Sequence, residues 1–250
     1  MKLFVKSLLA GGALLAAAST TQAAVININV FDVADTAEAH FLSTLHSHVT
    51  EDFDNLPLHG FSQTGNSNSQ LNWVDTATSF TTSVGEFVLV TPGDTDPLDA
   101  ERSTELKIEN SSTGEEGREV ASKNWLDSND ARVVEWNISI GGAPFNALGF
   151  YLADANDQGA RLLLKLTDGS EVDATYQLTS ALPNGSIKYV TLTSDVSISS
   201  ATLIFDTGNK GRDGWGVDNV TVGTVPEPGT LLLLGLGLLG LGAARRRIRN

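Results

Sequence analysis

Hydrophobic and polar positions divide the chain into three regimes. Apolar runs stand near both ends, at 8–18 and 231–244, and between them apolar residues mostly alternate with polar ones. Val25-Ile26-Asn27-Ile28-Asn29-Val30 alternates strictly, the period of a half-buried strand. Phe41, Leu42, Leu45 and Val49 instead fall at helical spacing, which predicts a short helix over about 35–46, capped by Asp35 or Thr36. From Val49 onward the pattern predicts strands near 49–55, 71–81, 85–91, 104–109, 131–140, 145–153, 160–167, 171–179, 186–193, 198–205 and 215–223. Loops rich in Gly, Asn, Ser and Asp separate them at 62–70, 91–99 and 110–117, and Asp168-Gly169 marks a tight hairpin turn. Many short strands at this spacing predict an all-β fold, a jelly-roll-like antiparallel β-sandwich over 24–224.

The two apolar ends read as addresses rather than as parts of that sandwich. Lys2 and Lys6, the run 8–18 and Thr21-Gln22-Ala23 have the order of a secretory signal peptide, 1–23, cut after Ala23 or next after Ala24. The C-terminal run, counted from Gly229 to Ala244, makes a helix of about 24 Å against a hydrocarbon core of ~30 Å. It predicts a short, provisional transmembrane helix over about 229–244. Arg245, Arg246, Arg247 and Arg249 form a stop-transfer cluster that stays cytoplasmic by the positive-inside rule.

Charge and cysteine content narrow the chemistry. The formal net charge is −14. The two ends hold six of the 16 bases and one of the 30 acids, so the middle carries ten bases against 29 acids, a net of −19. Nucleic acid is excluded as a partner on that balance, whereas divalent cations and neutral or basic surfaces fit it. The same acidity serves simply to keep an exported protein soluble. With no cysteine there is neither a disulfide framework nor a thiolate site.

Enzyme signatures are missing. His40, His46, His48 and His59 match no zinc spacing, and no Gly-x-Ser-x-Gly elbow occurs. Asp154-Ala155-Asn156-Asp157-Gln158-Gly159 begins like an EF-hand loop, but Lys165 stands where the bidentate Glu is required, so a strand–strand turn is the reading. Asp94-Thr95-Asp96-Pro97-Leu98-Asp99 reads as a solvated loop. Trp136 and Trp215 sit in strand patterns that read as core. Trp73 and Trp125, flanked by polar loops, are the candidates for an exposed sugar-stacking platform.

Val225-Pro226-Glu227-Pro228, an apolar run and a terminal arginine cluster resemble the PEP-CTERM sorting signal of Gram-negative bacteria, over 225–250. That resemblance implies processing by an exosortase at the motif Pro226, Glu227, Pro228. It also implies a membrane contact through the transient helix, and a destination in the outer envelope or extracellular matrix beside exopolysaccharide. Two prolines keep the strip extended and off any ladder, as a segment read by an enzyme requires.

Glu51-Asp52-Phe53-Asp54-Asn55-Leu56-Pro57, Ala147-Leu148-Gly149-Phe150 and Gly214-Trp215-Gly216-Val217-Asp218-Asn219-Val220 are similar to segments of jelly-roll and carbohydrate-binding modules. The residues themselves call for no cofactor. The resemblance implies a structural calcium, with Asp218 as its first ligand and Glu51 or Asp54 as the next. The expected function is a non-catalytic matrix or envelope component. A carbohydrate-binding module holding exopolysaccharide is the alternative, and a secreted hydrolase comes last.

Overall fold

A computed structural model describes residues 25–57, 74–93, 105–112, 120, 123–128, 131–154, 185–206 and 214–226, and the backbone of 161–166 and 171–173. Residues 1–23, expected as a signal peptide, and residues 227–250 lie outside the described residues. The elements in chain order begin with β1 (Ile26–Phe31), α1 (Ala34–Thr44), β2 (Ser47–Glu51), β3 (Asp75–Ala77) and β4 (Ser79–Thr82). Next come β5 (Gly85–Thr91), β6 (Leu106–Asn110), β7 (Asn124–Asp127), β8 (Val133–Ile138) and β9 (Phe145–Ala153). β10 (Arg161–Leu166), β11 (Glu171–Asp173), β12 (Ile187–Ile198), β13 (Ala201–Asp206) and β14 (Gly216–Thr224) complete them.

These strands make two antiparallel sheets. The larger runs β1-β12-β9-β14-β7-β6-β3, with β2 also on β14, and the smaller runs β11-β10-β13-β8-β5-β4. The alternation read from the sequence has its physical counterpart in what lies between them. Leu148, Phe150 and Leu152 of β9, Val190 and Leu192 of β12 and Val217 of β14 meet Phe87, Val134, Trp136, Leu203 and Phe205 of the smaller sheet. Trp136 joins the layers, stacked on Phe87 at 5.3 Å and edge-on to Phe150 at 6.2 Å, with its indole N–H donated to the Val84 carbonyl. Such aromatic pairs add to area burial. The expectation that Trp136 and Trp215 are core is met.

A third layer covers the outer face of the larger sheet. There α1 lays Ala37 and Phe41 over Ala147, Tyr151 and Ala153 of β9, Tyr189 of β12, and Trp125. This explains why all nine residues of β9 are buried: alternate side chains enter the sandwich and the helix interface. Gly149 makes the docking possible. A Cβ there would stand 2.4 Å from the Phe41 ring and 2.6 Å from the Tyr189 hydroxyl.

Several expectations need correction. The helix starts after Val33, and neither Asp35 nor Thr36 caps it. Val49 is not on the helix at all but packs into the sandwich from β2. The single strand expected over 71–81 is two, β3 and β4, separated at Thr78, where the chain leaves one sheet for the other. β7 was not anticipated, because its sequence Asn-Trp-Leu-Asp lacks a solvent face: Leu126 enters the sandwich and Trp125 the layer under α1. β5 and β9 coincide with their expected limits, and β10 pairs with β11 as the hairpin reading requires.

The register places both ends of the sandwich together. Ile26 pairs with Ser194, Thr193 with Ala147, and Ala147 with Gly223. Val25 and Val225 therefore leave from one end of the larger sheet, three strand spacings or ~14 Å apart. Gly149→Ala should destabilise the domain by about 1–3 kcal/mol through overpacking. Urea unfolding followed by tryptophan fluorescence checks this, and an unchanged midpoint would contradict tight docking of α1.

Candidate functional site

Two strands share one edge of β14. Gly216 and Val217 pair with β7, whereas Val220 to Thr224 pair with β2. The register against β9 slips between Asp218 and Thr221, and Asn219 takes a left-handed conformation with φ 45°. One extra residue is thus inserted where the edge changes partners, as in a β-bulge. Asn and Asp tolerate that conformation better than most residues.

The acidic segment after β2 closes the gap between the two strands. Glu51 is buried opposite Val220, and its Oε1 accepts the Phe53 N–H at 3.0 Å. Its Oε2 accepts the backbone N–H and the hydroxyl of Ser83, both at 2.9 Å. Phe53, held at φ 55°, is fully buried edge-on to Phe87. Asp54 Oδ1 then accepts the Asn124 N–H at the start of β7, at 2.9 Å. Asp218 Oδ1 accepts the Asn219 N–H at 2.7 Å inside the bulge.

The three residues expected to ligate calcium all serve the backbone in this fold. Glu51 lies on β2 opposite Val220, Asp218 in the bulge of β14, and Asp54 reaches β7, and each gives an oxygen to a backbone amide. Among the described residues no three His, Asp or Glu side chains group as metal ligands. The stacking expectation fails for Trp125, which is 1% exposed within the α1 layer and offers no free ring face. Trp73 lies outside the described residues. His40 is exposed on α1 and His46 and His48 are exposed at the start of β2, and Asp154 closes a turn by accepting the Gly185 N–H at 2.7 Å.

A second polar cluster sits where α1 meets the bulge. The Tyr151 hydroxyl lies 2.8 Å from Glu38 Oε2 and 3.1 Å from Asp35 Oδ1, and Asn219 donates its side-chain amide to Glu38 Oε1 at 3.0 Å. Tyr189 packs edge-on against Tyr151 at 5.1 Å. Both phenols are held far above their ordinary range, first by burial. The Glu38 charge raises both, its hydrogen bond also raises Tyr151, and Thr221 works the other way on Tyr189. Between α1 and the end of β1, Phe31, Val33, Ala37 and His40 line a shallow apolar depression.

The chain leaves the fold through a clamp that no sequence signal revealed. Asn146, at the start of β9 and 6% exposed, accepts the Val225 N–H on Oδ1 at 2.7 Å. Its Nδ2 donates to the Val225 carbonyl at 3.2 Å. The preceding residue is held too: His46 N–H donates to the Thr224 carbonyl at 2.7 Å, and the Ser47 and Thr224 hydroxyls meet at 2.9 Å. Pro226 follows at once, exposed, while Glu227, Pro228, Arg245, Arg246, Arg247 and Arg249 lie outside the described residues. Among the described residues no helix is long and apolar enough to cross a membrane.

Two measurements test these assignments. Glu51→Ala should cost about 3 kcal/mol, because it strands buried donors, and by the same amount with calcium or with a chelator. A loss seen only with calcium would assign Glu51 to a metal site. Below about pH 10 both phenols are protonated folded and unfolded, so they add no pH dependence of their own. Above that the unfolded chain releases protons the folded chain keeps, so stability falls as pH rises. Tyr151→Phe should make that fall shallower in urea melts between pH 8 and 11.

No curated protein matches the chain. Residues 224–247 match the family described as the PEP-CTERM protein-sorting motif, and that match opens on Thr224 and Val225, the residues held at the clamp, with Pro226 exposed after them.

Proposed function

We propose that the protein is an exported, non-catalytic component of the cell envelope or extracellular matrix, delivered there by exosortase processing of its tail. The observation that carries this reading is the match over 224–247, which begins on the last residue of the last strand. A sorting tail has to be removable without loss of the domain, and β14 ends at Thr224, just before the motif. Pro226, Glu227 and Pro228 are the strip read by the enzyme; the apolar stretch of about 229–244 holds it at the membrane, and the arginines stop transfer.

The body fits a passive role. β8 and β9 run beside β13 and β12 in the two sheets, so one two-stranded ribbon folds over from sheet to sheet. That wrap supports a jelly-roll reading of the sandwich, an architecture that serves many unrelated functions. The buried acids around β14 bond to backbone amides, which is a structural use. Exopolysaccharide is the partner that the matrix setting suggests. The carbohydrate-binding alternative has lost Trp125 and now rests on Trp73.

Expressed in a host with an exosortase, the wild type should lose its tail and reach the envelope or medium. Pro226→Ala with Pro228→Ala should accumulate as a longer, membrane-associated form, seen by intact mass and fractionation. Equal processing of both proteins would remove the motif from the pathway. Residues 24–226 should show no hydrolytic activity on polysaccharide substrates, and a measurable turnover would overturn the non-catalytic reading.

A further inference from the structure

The clamp on Val225 has a steric consequence for processing that the sorting motif alone does not carry. A chain reaches at most about 3.6 Å per residue. From Val225 to the start of the apolar run at Gly229 is four residues, and to Leu231 six, so the reach is ~14 to ~22 Å. Once that run is in a bilayer, the folded domain is confined to this distance from the membrane, and the processing enzyme has to fit its cleft around Pro226–Pro228 in the same gap. The backbone immediately before the motif is committed as well. Val225 has both its N–H and its carbonyl on Asn146, and the Thr224 carbonyl is held by His46. An enzyme that takes an extended strip through its backbone therefore finds nothing to grasp before Pro226, which has no N–H to offer.

We propose that Asn146 is a latch on the sorting motif: while it holds Val225, the folded domain restricts access to Pro226–Pro228, and tail removal proceeds through the opened latch. The inference rests on the exosortase reading given above. Opening is local, because it breaks the two Asn146 bonds and withdraws Val225 from the partly buried edge of the layer under α1, leaving the β14–β9 ladder in place. Local openings of this kind lie at the low end of a protein's stability spectrum. Asn146 is thus a positioning residue that sets how often the strip is free. It touches neither the bond to be cut nor the enzyme.

The test is a pulse-chase of tail removal in a host that processes the wild type, with three variants. Asn146→Ala, and a six-residue Gly/Ser insert between Val225 and Pro226 that leaves the clamp intact, should each shorten the processing half-time severalfold. Asn146→Asp, which keeps the acceptor for the Val225 N–H and loses the donor, should fall between wild type and Ala. Because the insert alters no residue of the fold, its acceleration cannot come from a weakened domain; melting temperatures of all variants control for that. Unchanged or slower processing in both Asn146→Ala and the insert overturns the latch. Hydrogen exchange tests it without any processing enzyme: the Val225 amide should be protected in wild type and lose protection in Asn146→Ala, with the β14 amides still protected. Free exchange of Val225 in wild type overturns the latch even where the tail is removed on schedule. Protection of Val225 with no tail removal at all would instead overturn the exosortase reading.

Discussion

The fold depends on how the backbone of β14 satisfies its hydrogen bonds. One edge pairs with β9 along nearly its whole length, and the other is shared end to end by β7 and β2. A strand edge divided between two partners leaves a seam, and buried amides at a seam need acceptors. The bulge at Asp218 and Asn219 takes up the change of register, and the segment from Glu51 to Asp54 stitches the seam with carboxylates. Glu51 also reaches Ser83 of the smaller sheet, so a single side chain ties three parts of the sandwich together.

That arrangement accounts for what the sequence disclosed and what it hid. β5 and β9 were legible to the residue because their apolar patterns are governed by a packed core on at least one side. β7 was hidden because it is covered on both faces, so its two polar residues looked like loop and Trp125 looked exposed. The helix was legible from Phe41 and Leu42, but its start was not, since no side chain caps it. Two strands were read as one at Thr78 because a change of sheet leaves no mark in hydrophobic periodicity.

The acids teach a similar lesson. Glu51, Asp54 and Asp218 each accept a backbone N–H, from Phe53 and Ser83, from Asn124 and from Asn219 respectively. A carboxylate oxygen is satisfied by a cation or by an N–H, and sequence gives no means of telling which lies opposite. Asn146 was invisible for the converse reason. A lone asparagine at the start of a strand carries no pattern, and its importance arises only from the register that sets it against Val225. The sorting motif itself was plain because its order of parts does not depend on any fold.

The neighbouring positions of Val25 and Val225 bear on how the domain could be made. A polypeptide threaded through a membrane with a greasy segment at each extremity is held like a purse by both strings. Had the sandwich begun at one pole and finished at the other, the chain would have to traverse the length of a folded body before re-entering the bilayer. Here the two cords emerge side by side, about 14 Å apart, with no such detour to make. Both ends of the described chain therefore lie at one end of the larger sheet, and the turns at its opposite end stand clear of them.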